Sequence, residues 1–250
     1  MIIEALSDEF KDLLNTMLAS FCYGSAQIEE DAEYYSLQRT VVEFFLRYDA
    51  KAAETQLGMA GELAIHLLMP EAHVNLRSIA VFFNKEERSI KKGFDLTFQA
   101  SDDLSIWYGE VKSGSVKPGE TPNEKMEALL KTASADLNGK LGPHATRSRW
   151  DSAIIDAGLT LESAQAATAK KLLRSDHESL RSNGQITKRA VLAATVMHPC
   201  DQCCVSGENV AEVASAIQGE GTFSALRVLV VQQSEVETVV TYLRTLGSDA

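Results

Sequence analysis

The fold predicted from this sequence depends mainly on the stretch GFDLTFQASDDLSIWYGEVKSG, from Gly93 to Gly114. Two apolar, strand-like runs flank the polar residues ASDD, which is the pattern of a β-hairpin. Alternation along the second run places Glu110 and Lys112 on one face of a strand. If the two runs pair, Asp95 of the first run reaches the same neighbourhood. The hairpin is thus expected to gather two carboxylates and an amine in apolar surroundings, where unpaired charge is costly.

Two carboxylates and an amine on one sheet face suit metal-dependent hydrolysis of phosphodiester bonds. Asp95 and Glu110 offer the hard oxygen ligands that Mg²⁺ prefers, and Mg²⁺ also binds phosphate oxygens. Lys112 would orient the attacking water or stabilise the developing negative charge. The alternative interpretation is a structural ion pair between Glu110 and Lys112 on a solvated strand face.

A third acid is expected from the segment upstream of the hairpin. Gly58, Glu62 and His66 follow one another at helical i, i+4 spacing. Glycines at positions 58 and 61 would let this helix approach a sheet closely. The sequence therefore predicts that Glu62 lies at a helix–sheet junction and supports the metal site.

The rest of the chain mixes helical and strand-like segments, so the fold class is α/β or α+β. Residues 40–49 are compatible with a strand or a helix end. The predicted helices cover most of residues 1–35, then 52–70 closed by Pro70, 124–142, 160–182 and 234–247, and the predicted strands cover 73–84, 189–199 and 225–233. We expect one compact unit, with an acidic, mainly helical extension over residues 1–50 and a nuclease-like domain over 51–250.

Charge is distributed unevenly along the chain. The net charge of −11 argues against a general nucleic-acid coat protein. Residues 1–62 hold 4 basic and 12 acidic side chains, whereas residues 84–149 hold 11 basic and 10 acidic ones. A local basic groove beside the hairpin is therefore compatible with the overall charge. The basic segments 87–92 and 147–149 would contact phosphates there, or else they are solvated turns.

Cysteine usage and hydropathy indicate a cytoplasmic protein. The chain has four cysteines without a secretory context, and its acidic, amphipathic start differs from a secretory signal. No apolar run approaches the length that spans a bilayer, so we expect no membrane association. The cluster of His198, Cys200, Cys203 and Cys204 has one CxxC spacing and would bind zinc or consist of ordinary loop thiols. The second interpretation is favoured because the chain has no second CxxC pair.

The order of these elements resembles the PD-(D/E)XK nuclease fold, a restriction-endonuclease-like core in which helices flank a mixed central sheet. The matching pattern is a helix with Glu62, a strand, a strand with Asp95, a strand with Glu110-x-Lys112, a helix and a strand. It covers roughly residues 52–200, and Phe94-Asp95 stands where the superfamily usually has Pro-Asp. The resemblance implies that Glu62, Asp95 and Glu110 bind the metal and that Lys112 assists the attacking water.

More narrowly, GMAGELAIHLL, GFDLTF and IWYGEVKSG resemble the HamA family, the nuclease subunit of Hachiman-type anti-phage systems. The resemblance implies hydrolysis of DNA with Mg²⁺, or Mn²⁺ in its place. It also implies a partner, a superfamily-2 helicase of the HamB type, which holds the nuclease quiet until DNA damage or foreign DNA is sensed. The acidic N-terminal third would dock this partner or shield the site.

Two other classes of function are compatible with the sequence. A catalytically degenerate nuclease fold would bind a partner or nucleic acid without cutting. A plain scaffold subunit would show neither DNA binding nor a metal site. The chain has no GxxxxGK[ST] phosphate loop, so we expect it to supply no ATPase activity of its own.

Overall fold

The computed structural model describes residues 1–3, 6–73, 75–83, 93–143, 145–234 and 237–248. In this part of the chain, helices cover both faces of a six-stranded mixed sheet, which confirms the predicted fold class. The strands are β1 (Ile2–Ile3), β2 (Leu76–Ser78), β3 (Leu96–Ala100), β4 (Ile106–Ser115), β5 (Arg189–Met197) and β6 (Ala225–Gln233). The helices are α1 (Asp8–Tyr23), α2 (Ser25–Glu30), α3 (Leu37–Tyr48), α4 (Ala53–Ala72), α5 (Pro122–Lys140), α6 (Arg147–Thr160), α7 (Ser163–Asn183), α8 (Gly207–Gly219) and α9 (Glu237–Ser248).

Strand β4 is the centre of the sheet, whose order is β1-β6-β5-β4-β3-β2. On one side β4 pairs antiparallel with β3, and this pairing ends where Leu96 faces Gly109. On its other side β4 pairs parallel with β5, and this pairing continues to Ser115. Beyond Gly109, β4 has therefore lost one neighbour and kept the other. The gap opens beside Glu110, the next residue.

The two faces of β4 belong to two different hydrophobic cores. Trp107 and Val111 pack with Leu63 of α4 in a core that also includes side chains from α1, α3 and α9. Tyr108 packs with Leu130 of α5 in the second core, which α6, α7 and α8 complete. Because side chains alternate along a strand, an even-numbered residue of β4 projects toward α5. Helices α4 and α5 thus lie on opposite faces of the sheet.

Helix α4 contacts the sheet through a glycine, as the sequence suggested. A Cβ atom at Gly61 would lie 2.0 Å from Ser113 Oγ and 3.1 Å from Thr195 Cβ. In the described structure, a Cβ atom at Gly58 would meet nothing within 4 Å. The close approach of α4 to the sheet therefore requires a glycine at position 61. Gly58 has no such role in the described structure.

Several predicted boundaries were wrong for local reasons. Helix α4 continues two residues past Pro70, because a proline in the last turn removes a single N–H and the Met69 carbonyl still accepts from the His73 N–H. Within residues 73–84, the described strand is limited to Leu76–Ser78. Residues 147–149 begin α6 and do not form a turn. Residues 40–49, which the sequence left open between a strand and a helix end, fall mainly in the C-terminal part of α3. The basic segment 87–92 lies outside the described residues.

The first 50 residues share the core of the remaining chain. Strand β1 pairs parallel with β6, and Leu14, Leu18 and Phe21 of α1 belong to the same core as Leu63 of α4. The domain boundary near residue 50 stays a prediction. Within the described ranges, no helix is both long and apolar enough to cross a membrane.

Candidate active site

Asp95 and Glu110 lie where β3 and β4 separate. Continuing the register beyond Leu96 and Gly109 would place these two acids opposite each other. Instead, Asp95 stands just before β3, and its Oδ2 accepts a hydrogen bond of 3.0 Å from the Val111 N–H. The carboxylate thus takes the place of a main-chain acceptor that β3 no longer provides.

The chain bends at this point, which alternation alone did not predict. A straight strand would place Phe94 on the same face as Leu96. Phe94 packs instead against Tyr108 and Trp150 on the opposite face, with ring centroids 4.8 Å and 5.3 Å away. This bend before β3 separates Asp95 from the regular ladder and leaves its carboxylate beside Glu110.

Glu110 and Lys112 project from the same face of β4, as the alternation predicted. Lys112 Nζ donates to Glu110 Oε1 at 2.9 Å and lies 2.7 Å from Asp136 Oδ2 of α5. The lysine is thereby held between an acid of its own strand and an acid of the covering helix. Its side chain remains 26% exposed, so the ammonium can still meet a ligand from solvent.

Sequence reasoning missed the second lysine of the site. Lys140, the last residue of α5, donates to Glu110 Oε2 and, at 3.2 Å, to Asp95 Oδ1. Asp136 and Lys140 are one helical turn apart, so they lie on the same side of α5. A projection of the predicted helix 124–142 would have shown this charged pair following the Glu-x-Lys strand. It could not have shown which strand residues the pair contacts.

Burial and neighbouring charges raise the pKa values of both Glu110 and Lys112, for different physical reasons. The Glu110 side chain is 1% exposed, and its burial together with the nearby Asp95 carboxylate raises the pKa of Glu110 to about 7, although Lys140 and Lys112 act against the rise. Burial by itself would lower the pKa of Lys112, but its bonds to Asp136 and Glu110 raise that pKa above its ordinary value. Lys112 is therefore protonated at neutral pH, whereas burial makes Glu110 give up its proton less readily than an exposed carboxyl group.

Glu62, the fourth predicted site residue, belongs to α4. Helix α4 packs on the face opposite to α5, and Glu62 Oε1 is 3.7 Å from the Nε2 of the buried His66. Among the residues that the structure describes, no three acidic, histidine or cysteine side chains form a group able to hold a metal ion. The structure therefore brings together three of the four predicted site residues. A role for Glu62 at the metal stays a prediction.

Two carboxylates are sufficient for Mg²⁺, which proteins usually hold through one or two carboxylates together with water and phosphate oxygens. Asp95 Oδ1 and Glu110 Oε2 both contact the single ammonium of Lys140, so both oxygens face one cation. Their hard oxygen chemistry and mutual proximity fit a divalent ion. The fit rests on two protein ligands rather than the three that the sequence suggested.

The cysteine-rich loop is ordered by a buried glutamine. Gln232 donates to the carbonyls of His198 and Cys203, at 3.1 and 2.8 Å, and accepts from the Val205 N–H at 2.7 Å. The Cys204 Sγ contacts the Cys200 carbonyl at 3.2 Å. The main chain of the loop is thus fixed by hydrogen bonds to β6, and the described residues include no zinc-type grouping.

The observed elements can be compared with the pattern on which the resemblance to the PD-(D/E)XK fold rests. The order α4, β2, β3, β4, α5, β5 matches that pattern, except that Asp95 precedes β3 and that α6 and α7 are added before β5. The HamA family profile matches residues 3–243, and the chain therefore belongs to the HamA family, which is associated with Hachiman anti-phage defence. A search of curated proteins returned no match.

Proposed function

We propose that this protein is a metal-dependent nuclease that hydrolyses DNA phosphodiester bonds as the effector of an anti-phage system. The observation that carries the proposal is the contact of both Asp95 and Glu110 with the Lys140 ammonium, beside Lys112, where β3 and β4 separate. Neither a solvated strand face nor a simple surface ion pair explains a carboxylate that is 1% exposed and contacts two lysines.

Each side chain has a separate role in this proposal. Asp95 and Glu110 hold Mg²⁺, or Mn²⁺ in its place. When bound, the ion supplies charge neutralisation at the scissile phosphate and activation of the attacking water. Lys112, fixed by Glu110 and Asp136, presents a positive charge to the phosphate as negative charge develops on it. Glu62 of α4 stays the predicted third acid of the site.

DNA as the substrate is supported by the cations around the carboxylates. Lys112 and Lys140 flank Glu110, and the guanidinium of Arg149 lies 5.9 Å from the Phe94 ring centroid, with its NH1 3.5 Å from the Lys140 carbonyl. Phosphate contacts of this kind supply sequence-independent affinity. The whole protein has a net charge of −11, so we propose that DNA contacts concentrate at this site.

A plasmid assay tests the proposal. We expect the purified protein to nick supercoiled DNA with Mg²⁺ and to stop when the metal is chelated. Glu110→Ala and Lys112→Ala should each reduce cutting by about two orders of magnitude or more. Lys131→Ala is the matched control, since Lys131 is 63% exposed on α5 and pairs with Glu127.

The plasmid assay, combined with a gel-shift assay of DNA binding, distinguishes the other two classes of function. DNA binding by gel shift, without cutting at any Mg²⁺ or Mn²⁺ concentration, would support the degenerate nuclease fold. Neither binding nor cutting, by this protein alone or with its partner, would support a scaffold subunit.

Control by a superfamily-2 helicase of the HamB type is the second part of the proposal. Family membership supports it, and so do four exposed acidic side chains, Asp8 and Glu9 on α1 and Glu29 and Glu30 on α2, which would form the docking surface. We expect expression of the chain alone to be toxic to cells, and expression of the helicase or Lys112→Ala to relieve the toxicity. Changing the four acids to Asn or Gln should weaken the complex without unfolding the chain. An unchanged complex would exclude docking through this surface.

A further inference from the structure

We propose that the Lys140 ammonium occupies the cation position of the metal-free protein, and that a divalent ion must displace it from Asp95 and Glu110. The inference rests on the metal site of the proposed function but not on DNA cleavage. It gives Lys140 a role that neither the sequence pattern nor family membership assigns. Lys140 then sets the metal concentration at which the site becomes loaded.

The contacts of the two carboxylates leave one shared position. Asp95 Oδ2 accepts from the Val111 N–H, and Glu110 Oε1 accepts from Lys112. The other oxygen of each acid, Asp95 Oδ1 and Glu110 Oε2, contacts Lys140 Nζ. Asp95 and Glu110 would hold a divalent ion with these remaining oxygens, which the Lys140 ammonium contacts in the metal-free protein.

Charge makes the two occupants mutually exclusive. A divalent ion and an ammonium within about 4 Å of each other repel, and the repulsion is strong beside a buried group because solvent screens it poorly. Without any cation, the buried Glu110 and its neighbour Asp95 would repel each other instead. The position between Asp95 Oδ1 and Glu110 Oε2 therefore holds one cation at a time, and Lys140 neutralises the acids there until a divalent ion arrives.

The position of Lys140 in its helix allows it to leave. Lys140 is the final residue of α5, and its side chain is 20% exposed on a flexible four-carbon stem. Its departure requires rotations of that stem and no change in the hydrogen bonds of the helix interior. Lys112 differs, because it lies within β4 and is held by both Glu110 and Asp136. Lys140 is thus the displaceable cation and Lys112 the fixed one.

Metal affinity without DNA provides the first test. We expect Lys140→Met, which keeps the length of the side chain and removes its charge, to bind Mn²⁺ about tenfold more tightly than wild type, as measured by calorimetry or by electron paramagnetic resonance of free Mn²⁺. Glu110→Gln should lose this binding, and Lys131→Met on the same helix should match wild type. Unchanged or weaker Mn²⁺ binding by Lys140→Met would overturn the inference.

A second measurement uses the wild-type protein and does not depend on the folding of a variant. Lysine acetylation by acetic anhydride, followed by mass spectrometry, reports how accessible each ammonium is. Adding Ca²⁺ should raise the reactivity of Lys140 and leave that of Lys131 unchanged. A Lys140 reactivity that stays constant or falls while Ca²⁺ binds would exclude displacement.

The outcomes separate this inference from the proposed function. Tighter Mn²⁺ binding by Lys140→Met in a protein that never cuts DNA would support the inference and reject the nuclease. If wild type cuts DNA and Lys140→Met binds Mn²⁺ only as tightly as wild type does, the nuclease is supported and the inference about Lys140 is rejected. Failure of wild type and Lys140→Met alike to bind Mn²⁺ at millimolar concentrations would reject both.

Discussion

Glu110 is a buried carboxylate whose charge depends on its neighbours. Burial and the nearby Asp95 raise its pKa to about 7 from an ordinary value of 4.5, so the folded protein binds more protons than the unfolded chain between these two pH values. A raised carboxyl pKa stabilises the fold at low pH, and the stabilisation is lost as pH rises through 7. The metal-free protein should therefore become less stable from pH 5 to pH 8.

Glu110→Gln, which resembles the protonated acid, removes this dependence. From pH 5 to pH 8, in the presence of a chelator, we expect the unfolding free energy of wild type to fall relative to that of Glu110→Gln by on the order of 2 kcal/mol. Urea denaturation at the two pH values measures the difference. Glu127→Gln, an exposed acid of α5, should behave like wild type. Parallel pH profiles of wild type and Glu110→Gln would contradict the assigned environment.

At the scale of single residues, the sequence predicted what a strand determines locally. Glu110 and Lys112 share a face because side chains alternate with a period of two, and the structure shows their ion pair. The contact between Lys140 and Glu110 spans 30 positions of the chain and depends on how α5 packs against β4. No local periodicity contains that information, so this lysine was missed.

Helix α5 shows how an element positions the site. It begins with a capping box between Thr121 and Glu124, with Pro122 at its first position, which fixes where the helix starts. The helix then runs back along β4, so Asp136 lies beside Lys112 and Lys140 beside Glu110. The start of the helix and its direction together determine which charged side chains meet.

Helix α4 depends on Gly61 for its distance from the sheet. We expect Gly61→Ala to destabilise the protein by about 1–3 kcal/mol, because the added Cβ atom would overlap Ser113 Oγ and crowd Thr195. Thermal or urea denaturation measures the change, and Ser113→Ala should restore part of the loss.

Gly58→Ala on the same helix is the matched control. An added Cβ atom there meets nothing within 4 Å in the described structure, so the higher helix propensity of alanine should leave stability unchanged or raise it by up to about 1 kcal/mol. Equal effects at the two glycines would show that helix propensity, and not contact with the sheet, explains them.

The N-terminal segment shares a sheet and a hydrophobic core with the remaining chain. Leu18 of α1 is fully buried in the core that contains Leu63 of α4 and Val111 of β4. We expect Leu18→Ala to reduce the unfolding free energy of the entire chain by about 2–5 kcal/mol while a single transition is kept. Denaturation followed through both tryptophan fluorescence and circular dichroism measures it.

Leu46→Ala of α3, where the leucine is 48% exposed, should change stability by about 0.5 kcal/mol or less. Two separate transitions in the Leu18→Ala protein would instead indicate that residues 1–50 form an independent extension. A single transition would indicate that any docking of a partner on α1 and α2 involves a surface of the same folding unit.

The sequence by itself determined the mixed α/β class, the strand pair of the quoted hairpin and the common face of Glu110 and Lys112. These follow from periods of two and 3.6 residues and from turn composition, which act over a few neighbouring positions. The tertiary structure alone decided that β3 and β4 separate at Asp95, that α4 and α5 cover opposite faces, and that Lys140 reaches both acids. Those features depend on packing between segments far apart in the chain, where burial and charge pairing select one arrangement among many that the local pattern permits.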